Sequence, residues 1–88
     1  MIIYGKHLEK HRPGCYRVPL TGERFSQIVR GSYTSSARWG DEFRRGTPHG
    51  RHWAVEIRDS DSGQMMRYAG VWPTLREAVE SILSEVTP

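Results

Sequence analysis

Apolar and polar residues alternate most cleanly between His52 and Arg58, where Trp53, Val55 and Ile57 fall on one side of an extended chain and Ala54, Glu56 and Arg58 on the other. This period of two predicts a strand with one face toward a core. Asp59-Ser-Asp-Ser-Gly63 supplies turn formers, and Gln64 to Val71 returns as the partner strand of a β-hairpin. Pro73 ends that strand, and Thr74-Leu-Arg-Glu77 spells a capping box that opens a helix. Leu75, Ala78, Val79, Ile82, Leu83 and Val86 then recur as one continuous helical stripe. The helix must lie across the hairpin, because neither element buries its apolar face alone.

Upstream the pattern is weaker. Between Thr21 and Gly31, Thr21 suits a helix cap, Glu23 the first turn and Gly31 the end, with Phe25, Ile28 and Val29 at helical spacing. A short helix near residues 22–30 is expected, with a strand as the competing reading, since Val and Ile suit both. A short strand is expected at residues 2–4, a poorly packed segment over 6–14, and another short strand within 39–45. Thr47-Pro-His-Gly50 reads as a turn, and Met65-Met66 as gap-filling core at the hairpin. The fold class expected is α+β: an antiparallel sheet of three or four strands packed against a C-terminal amphipathic helix, with the short helix near residues 22–30.

Length limits this to one domain, residues 1–88, because a chain of 88 residues buries only about 60 to 65% of its unfolded surface and supports one core. The Met1-to-Lys6 opening is too short for the apolar region of a signal peptide, and no run approaches the roughly 20 apolar residues of a membrane span. With Cys15 as the one cysteine, no internal disulfide is possible, in keeping with a cytoplasmic protein and no membrane partner.

Charge changes the picture more. Residues 1–51 carry ten Lys/Arg against four Asp/Glu, a balance of +6, whereas residues 52–88 carry three against six, a balance of −3. Such a split points to a polyanion-facing side. The basic and aromatic stretch Arg38, Trp39, Phe43, Arg44, Arg45, His49 and Arg51 leads into the Trp53 strand, and Arg58 and Arg67 extend it across the hairpin. Guanidinium groups bond phosphate bidentately, so Arg38, Arg44, Arg45, His49, Arg51, Arg58 and Arg67 are the candidate nucleic-acid contacts. The bland alternative is a solvated surface whose arginines bond local carboxylates such as Asp41 and Glu42. Trp39, Trp53, Tyr68 and Trp72 are candidate stacking platforms, with core packing favoured for Trp53 and Trp72.

Other chemistry is thin. His7, His11 and Cys15 fall at intervals of four and His49-x-x-His52 adds a pair, but Pro13-Gly14 interrupts any helix that would align the first three as zinc ligands. Asp59-x-Asp61-x-Gly63 opens like a calcium loop, yet no glutamate stands at its twelfth position, and a hairpin turn explains it better. A Cys15/His nucleophile has no supporting motif, and no phosphate loop, metalloprotease helix or dinucleotide fingerprint occurs. Neither a metal, another cofactor nor a catalytic residue is expected.

Residues 46–86, through Thr-Pro-His-Gly-Arg-His-Trp-Ala-Val-Glu-Ile-Arg-Asp, Ser-Gly-Gln and Trp-Pro-Thr-Leu-Arg-Glu-Ala, resemble the three-stranded-sheet-plus-helix DNA-binding domain of tyrosine-recombinase integrases. They also resemble double-stranded-RNA-binding domains. The first resemblance implies that Glu56, Arg58 and Arg67 on an exposed sheet face enter a DNA groove; the second implies that the His49 loop reaches an RNA minor groove. The chain departs from the second family where a lysine cluster should open the last helix, having Arg76 followed by Glu77, Glu80 and Glu85. The Thr-Leu-Arg-Glu-Ala-Val helix is similar to that of HicB-type antitoxins. The function expected is non-enzymatic binding of DNA or RNA through a basic loop and hairpin face. The alternative is a phage- or mobile-element-type inhibitor or antitoxin that binds a protein of a host nucleic-acid-handling complex.

Overall fold

In the computed structural model, residues 2–36, 40–45 and 50–87 are described. The strands are β1 (Ile2–Ile3), β2 (Lys6–His7), β3 (Glu9–Arg12), β4 (Cys15–Leu20), β5 (Arg24–Ser36), β6 (Gly40–Arg45), β7 (His52–Asp59) and β8 (Met65–Trp72). A helix, α1 (Leu75–Glu80), and a 3-10 turn at Leu83–Glu85 complete the elements of the described residues. Strands β1 and β2 form a small hairpin, and a six-stranded antiparallel sheet runs β3-β4-β5-β7-β8 with β6 paired to β5.

The hairpin at the end of the sheet is the one the alternation predicts. Trp53, Val55 and Ile57 face the core, and Trp53 lies opposite Trp72. Asp59 closes the turn by accepting the backbone N–H groups of Asp61 and Ser62 at 2.8 and 3.0 Å. That arrangement satisfies the turn reading of the Asp-Ser-Asp-Ser-Gly segment.

The segment expected as a short helix near residues 22–30 is instead part of β5. Thr21 to Glu23 form the turn between β4 and β5, with Gly22 and Glu23 both at positive φ. As a central strand, β5 is covered on both faces: Ser26, Gln27, Ile28 and Val29 are all buried. Strand β7 is buried on both faces as well, but each face of β5 mixes polar with apolar residues, Ser26 with Ile28 and Gln27 with Val29, so no period of two shows and neighbours on either side override local propensity. Its 13 residues outrun β4. Gly31 pairs with His52 of β7 on one edge and Arg45 of β6 on the other, so β6 takes over the edge that β4 leaves at Cys15.

The expected sheet of three or four strands was too small for the same reason, and because residues 6–14 pair rather than hang loose. Leu8 is buried in the core between β2 and β3, whereas Glu9, Lys10, His11 and Arg12 are exposed along an edge strand. Charged edge strands look like loops by composition, and they discourage pairing with other chains. Met65 and Met66, expected in the core, are 50% and 56% exposed. Both sit at the start of β8, the opposite edge.

The C-terminal stripe reaches the core without one long helix. Thr74 Oγ1 accepts the Glu77 N–H at 3.1 Å to cap α1, but α1 ends at Glu80. The chain then turns so that Val86 bridges Leu20, while the Thr21 and Thr87 N–H groups donate to Glu85 and Pro19 carbonyls at 2.9 and 3.1 Å. Ala78, Val79, Ile82 and Val86 thus join Val18, Leu20, Ile28, Val55 and Ile57 in one cluster on one side of the sheet. The β1–β2 hairpin is tied to α1 by Tyr4, whose hydroxyl donates to Glu80 at 2.8 Å and whose ring lies under Arg76. Among the described residues no helix is long and apolar enough to cross a membrane.

Candidate anion-binding face

The sheet face turned away from the core carries the polar chemistry. Residues paired across strands share a face, so the registers assemble it row by row. One row runs Arg12, Cys15, Val29 and Ala54; the next Glu9, Arg17, Gln27, Glu56 and Tyr68; the third Pro19, Phe25, Arg58 and Met65. Arg45 joins beside Gly31 from β6.

Glu56 is the centre of this face. It is 2% exposed, and a carboxylate removed from water is costly unless it is fully paired. Its Oε1 accepts from Arg58 Nε at 3.1 Å, Arg58 Nη2 at 3.0 Å and Gln27 Nε2 at 3.3 Å, while Arg45 Nη1 stands 3.3 Å from Oε2. Gln27 in turn accepts from Arg17 Nε at 3.1 Å, and Arg58 Nη1 donates to the Gly63 carbonyl at 2.7 Å. One buried carboxylate therefore fixes Arg45 and Arg58 directly, and Arg17 through an amide relay. The guanidinium of Arg17 also lies 5.1 Å from the centre of the Phe25 ring.

Above this floor opens a cleft of about 420 Å³ lined by Arg12, Arg17, Phe25, Gln27, Arg45, Arg58 and the Ser60–Gly63 turn. Among the described residues, four arginines from β3, β4, β6 and β7 outnumber the carboxylates of Glu56 and Asp61, so this lining is cationic. Tyr68, 48% exposed, stands one strand over from this floor, opposite Glu56 in the β7–β8 register. Partial burial and then the Glu56 charge push the Tyr68 phenol above its ordinary pKa, while Arg45 opposes them. The chain matches no protein-family model, no curated protein and no solved structure. Its chemistry must be judged from these residues alone.

Of the seven residues read from sequence, Arg45 and Arg58 line the cleft. Arg44, one position before Arg45, is exposed and by strand alternation projects from the other face. Arg51 is exposed just before β7. Arg67 pairs with Ile57 and so belongs to the core side, where its Nη2 donates to both Glu85 oxygens at 3.0 and 2.8 Å. Arg38 and His49 lie outside the described residues, as does Trp39. Arg12 and Arg17 lie outside the basic and aromatic stretch that the sequence marks, and Arg12 falls in the segment expected to be poorly packed. A signal was present: Tyr16, Val18 and Leu20 alternate with Cys15, Arg17 and Pro19, which is strand patterning with Arg17 on the polar side.

The remaining motifs resolve locally. His7 and His11 are exposed on separate strands, and no three His, Cys, Asp or Glu side chains among the described residues form a metal-holding group. Cys15 is fully buried, and that burial raises its thiol pKa despite Arg12, Arg17 and Arg45 nearby. An activated nucleophile is shifted the other way.

Proposed function

We propose that this chain is a non-enzymatic nucleic-acid-binding domain that engages phosphates through the arginine face of its sheet. The supporting observation is the convergence of Arg12, Arg17, Arg45 and Arg58, from four different strands, on one cleft. Planar guanidinium groups match phosphate oxygens in pairs, and strand-borne side chains held by hydrogen bonds lose less freedom on binding than a mobile loop does. Glu56 cancels part of the charge, but it is buried beneath the arginines, so a phosphate meets the cations first.

The reading departs from the sequence expectation in where it puts the contacts: on strands, with Arg12 and Arg17 added and Arg67 released to a structural ion pair. Fluorescence anisotropy with labelled mixed-sequence DNA and RNA at two salt concentrations tests it. Binding should weaken steeply with salt. The Arg12→Ala/Arg17→Ala double variant should bind less tightly and Arg67→Ala as tightly as the parent. Absence of binding to nucleic acid and to heparin in dilute buffer would end this reading.

A second reading, the inhibitor or antitoxin that grips a protein, draws on β8. This edge strand carries Met65, Met66 and Tyr68 in exposed positions, and an apolar strand edge suits addition of a partner strand. It gains ground only if the polyanion titrations are negative.

A further inference from the structure

Tyr68 and Met65 are large apolar side chains left half-exposed on the same face as the arginine cleft, opposite Glu56 and Arg58 in the β7–β8 register. Farther along the strand, Ala69 and Trp72 pack against the core. Two register shifts in the β7–β8 pairing, at Ala54/Glu56 and Ile57/Arg58, flank the position of Tyr68. Irregularities of this kind re-aim side chains and recur beside binding sites. On the other flank of β7, Phe25 lies half-buried under Arg17. Rings on β5 and β8 thus stand on either side of Arg58, two inter-strand spacings or about 10 Å apart, and Arg17 and Arg12 follow beyond the β5 ring.

We propose that the polynucleotide bound by this face is single-stranded, with Tyr68 as the platform on which one base stacks and Arg45, Arg17 and Arg12 holding the backbone as it continues across the sheet toward β3. The inference rests on the nucleic-acid reading above and narrows it. Base faces are hidden within a duplex stack and become available to an aromatic side chain only in a single strand. Duplex grooves are read by a protruding helix or β-ribbon. Here α1 has six residues, packs on the far side of the sheet, and presents Glu77 and Glu80 to solvent. The turn at the cleft rim carries Asp61, which phosphate avoids. What the arginine face offers is an open sheet surface with aromatic and cationic side chains interleaved. Its contacts go to base faces and phosphates, which DNA and RNA share.

The test compares labelled oligothymidylate, oligouridylate and the duplex of oligothymidylate with oligodeoxyadenylate, all against the full chain at one low salt concentration. Both single strands should bind at least about tenfold more tightly than the duplex, a difference of about 1.4 kcal/mol. Tyr68→Ala should weaken single-strand binding roughly 5- to 150-fold, the loss expected of one base–aromatic contact. Tyr68→Phe should restore it, and retention on heparin should be the same for all three proteins. Equal or tighter binding of the duplex overturns the single-strand assignment while leaving phosphate binding intact, as does unaltered single-strand affinity in Tyr68→Ala. Failure to bind any oligonucleotide or heparin overturns the underlying reading instead. Tyr68 is exposed on an edge strand, so its variants should keep the parent circular dichroism spectrum.

Discussion

Glu56 sits where a strand pattern calls for an outward residue, yet it is among the most buried side chains of the protein. Its cost is offset by hydrogen bonds from Arg58 and Gln27 and by Arg45. The partners differ in their access to water: the Arg45 side chain is 46% exposed and Arg58 19%. Glu56→Gln keeps the shape but replaces charge-assisted bonds by neutral ones and turns an amide N–H₂ toward guanidinium donors. Because both arginines can be partly solvated, the expected loss is about 1 to 3 kcal/mol, the range for an unsatisfied buried group, rather than the larger penalty of a stranded interior charge. Urea unfolding at neutral pH measures it. A midpoint identical to the parent's would show that the carboxylate contributes nothing to holding this face together.

At the scale of elements, the 3-10 turn at Leu83–Glu85 matters more than its three residues suggest. Glu85 binds Arg67 of β8 at 2.8 Å and Arg24 of β5 at 3.1 Å, so it clamps the C-terminal segment to both. Partial burial alone would raise the Glu85 pKa, but hydrogen bonds and charge from Arg67 and Arg24 outweigh it and hold the carboxyl below its ordinary value. A depressed carboxyl stabilises the fold above its unfolded pKa and loses that contribution as pH falls through its folded pKa. Glu85→Gln should therefore cost about 0.5 to 1 kcal/mol near neutrality, the scale of partly exposed ion pairs, with the difference from the parent closing in acid and shrinking with salt. Thermal melts at neutral and acid pH give both points. A gap that persists in acid would mean that Glu85 acts through packing instead of charge.

The same elements explain what could be read in advance. The hairpin of β7 and β8 was legible because one face of β7 is aliphatic and aromatic and Asp59–Gly63 can only turn. The apolar stripe from Leu75 to Val86 was legible as burial but not as helix, since its end is buried by bridging β4. Strand β5 was hidden by Ser26 and Gln27, buried polar residues that make sense only once Glu56 lies opposite Gln27. Half of the cleft was hidden with it: Arg45 and Arg58 stood out in a basic run, whereas Arg12 and Arg17 needed the pairing of β3, β4 and β5 to place them.

For the whole molecule, the charge split along the chain is only partly a split between the two sides of the sheet, because Arg24, Arg44 and Arg67 stand with the acidic residues on the α1 side. The arginines of the cleft gather on one side, and Glu77, Glu80 and Glu85 on the side that carries α1. Layers in a protein are separated by on the order of 10 Å, which exceeds the screening length of about 8 Å at physiological ionic strength, so the acidic side subtracts little from the attraction of the cleft for phosphate. The salt dependence of binding should then count Arg12, Arg17 and Arg45 and leave out Arg58, whose Nε, Nη1 and Nη2 already donate to Glu56 and Gly63. For single strands each phosphate neutralised contributes roughly −0.7 to the slope of log affinity against log salt, so three contacts from Arg12, Arg17 and Arg45 predict a slope of roughly −2. Replacing Arg12 and Arg17 by alanine should bring it to roughly −0.7, while replacing Arg67, which is spent on Glu85, should leave it unaltered. Titrations of oligothymidylate across a salt series yield all three slopes. If the double variant kept the parent slope, the phosphates would have to lie against some other surface, and the convergence of arginines around Glu56 would be a device for stability alone.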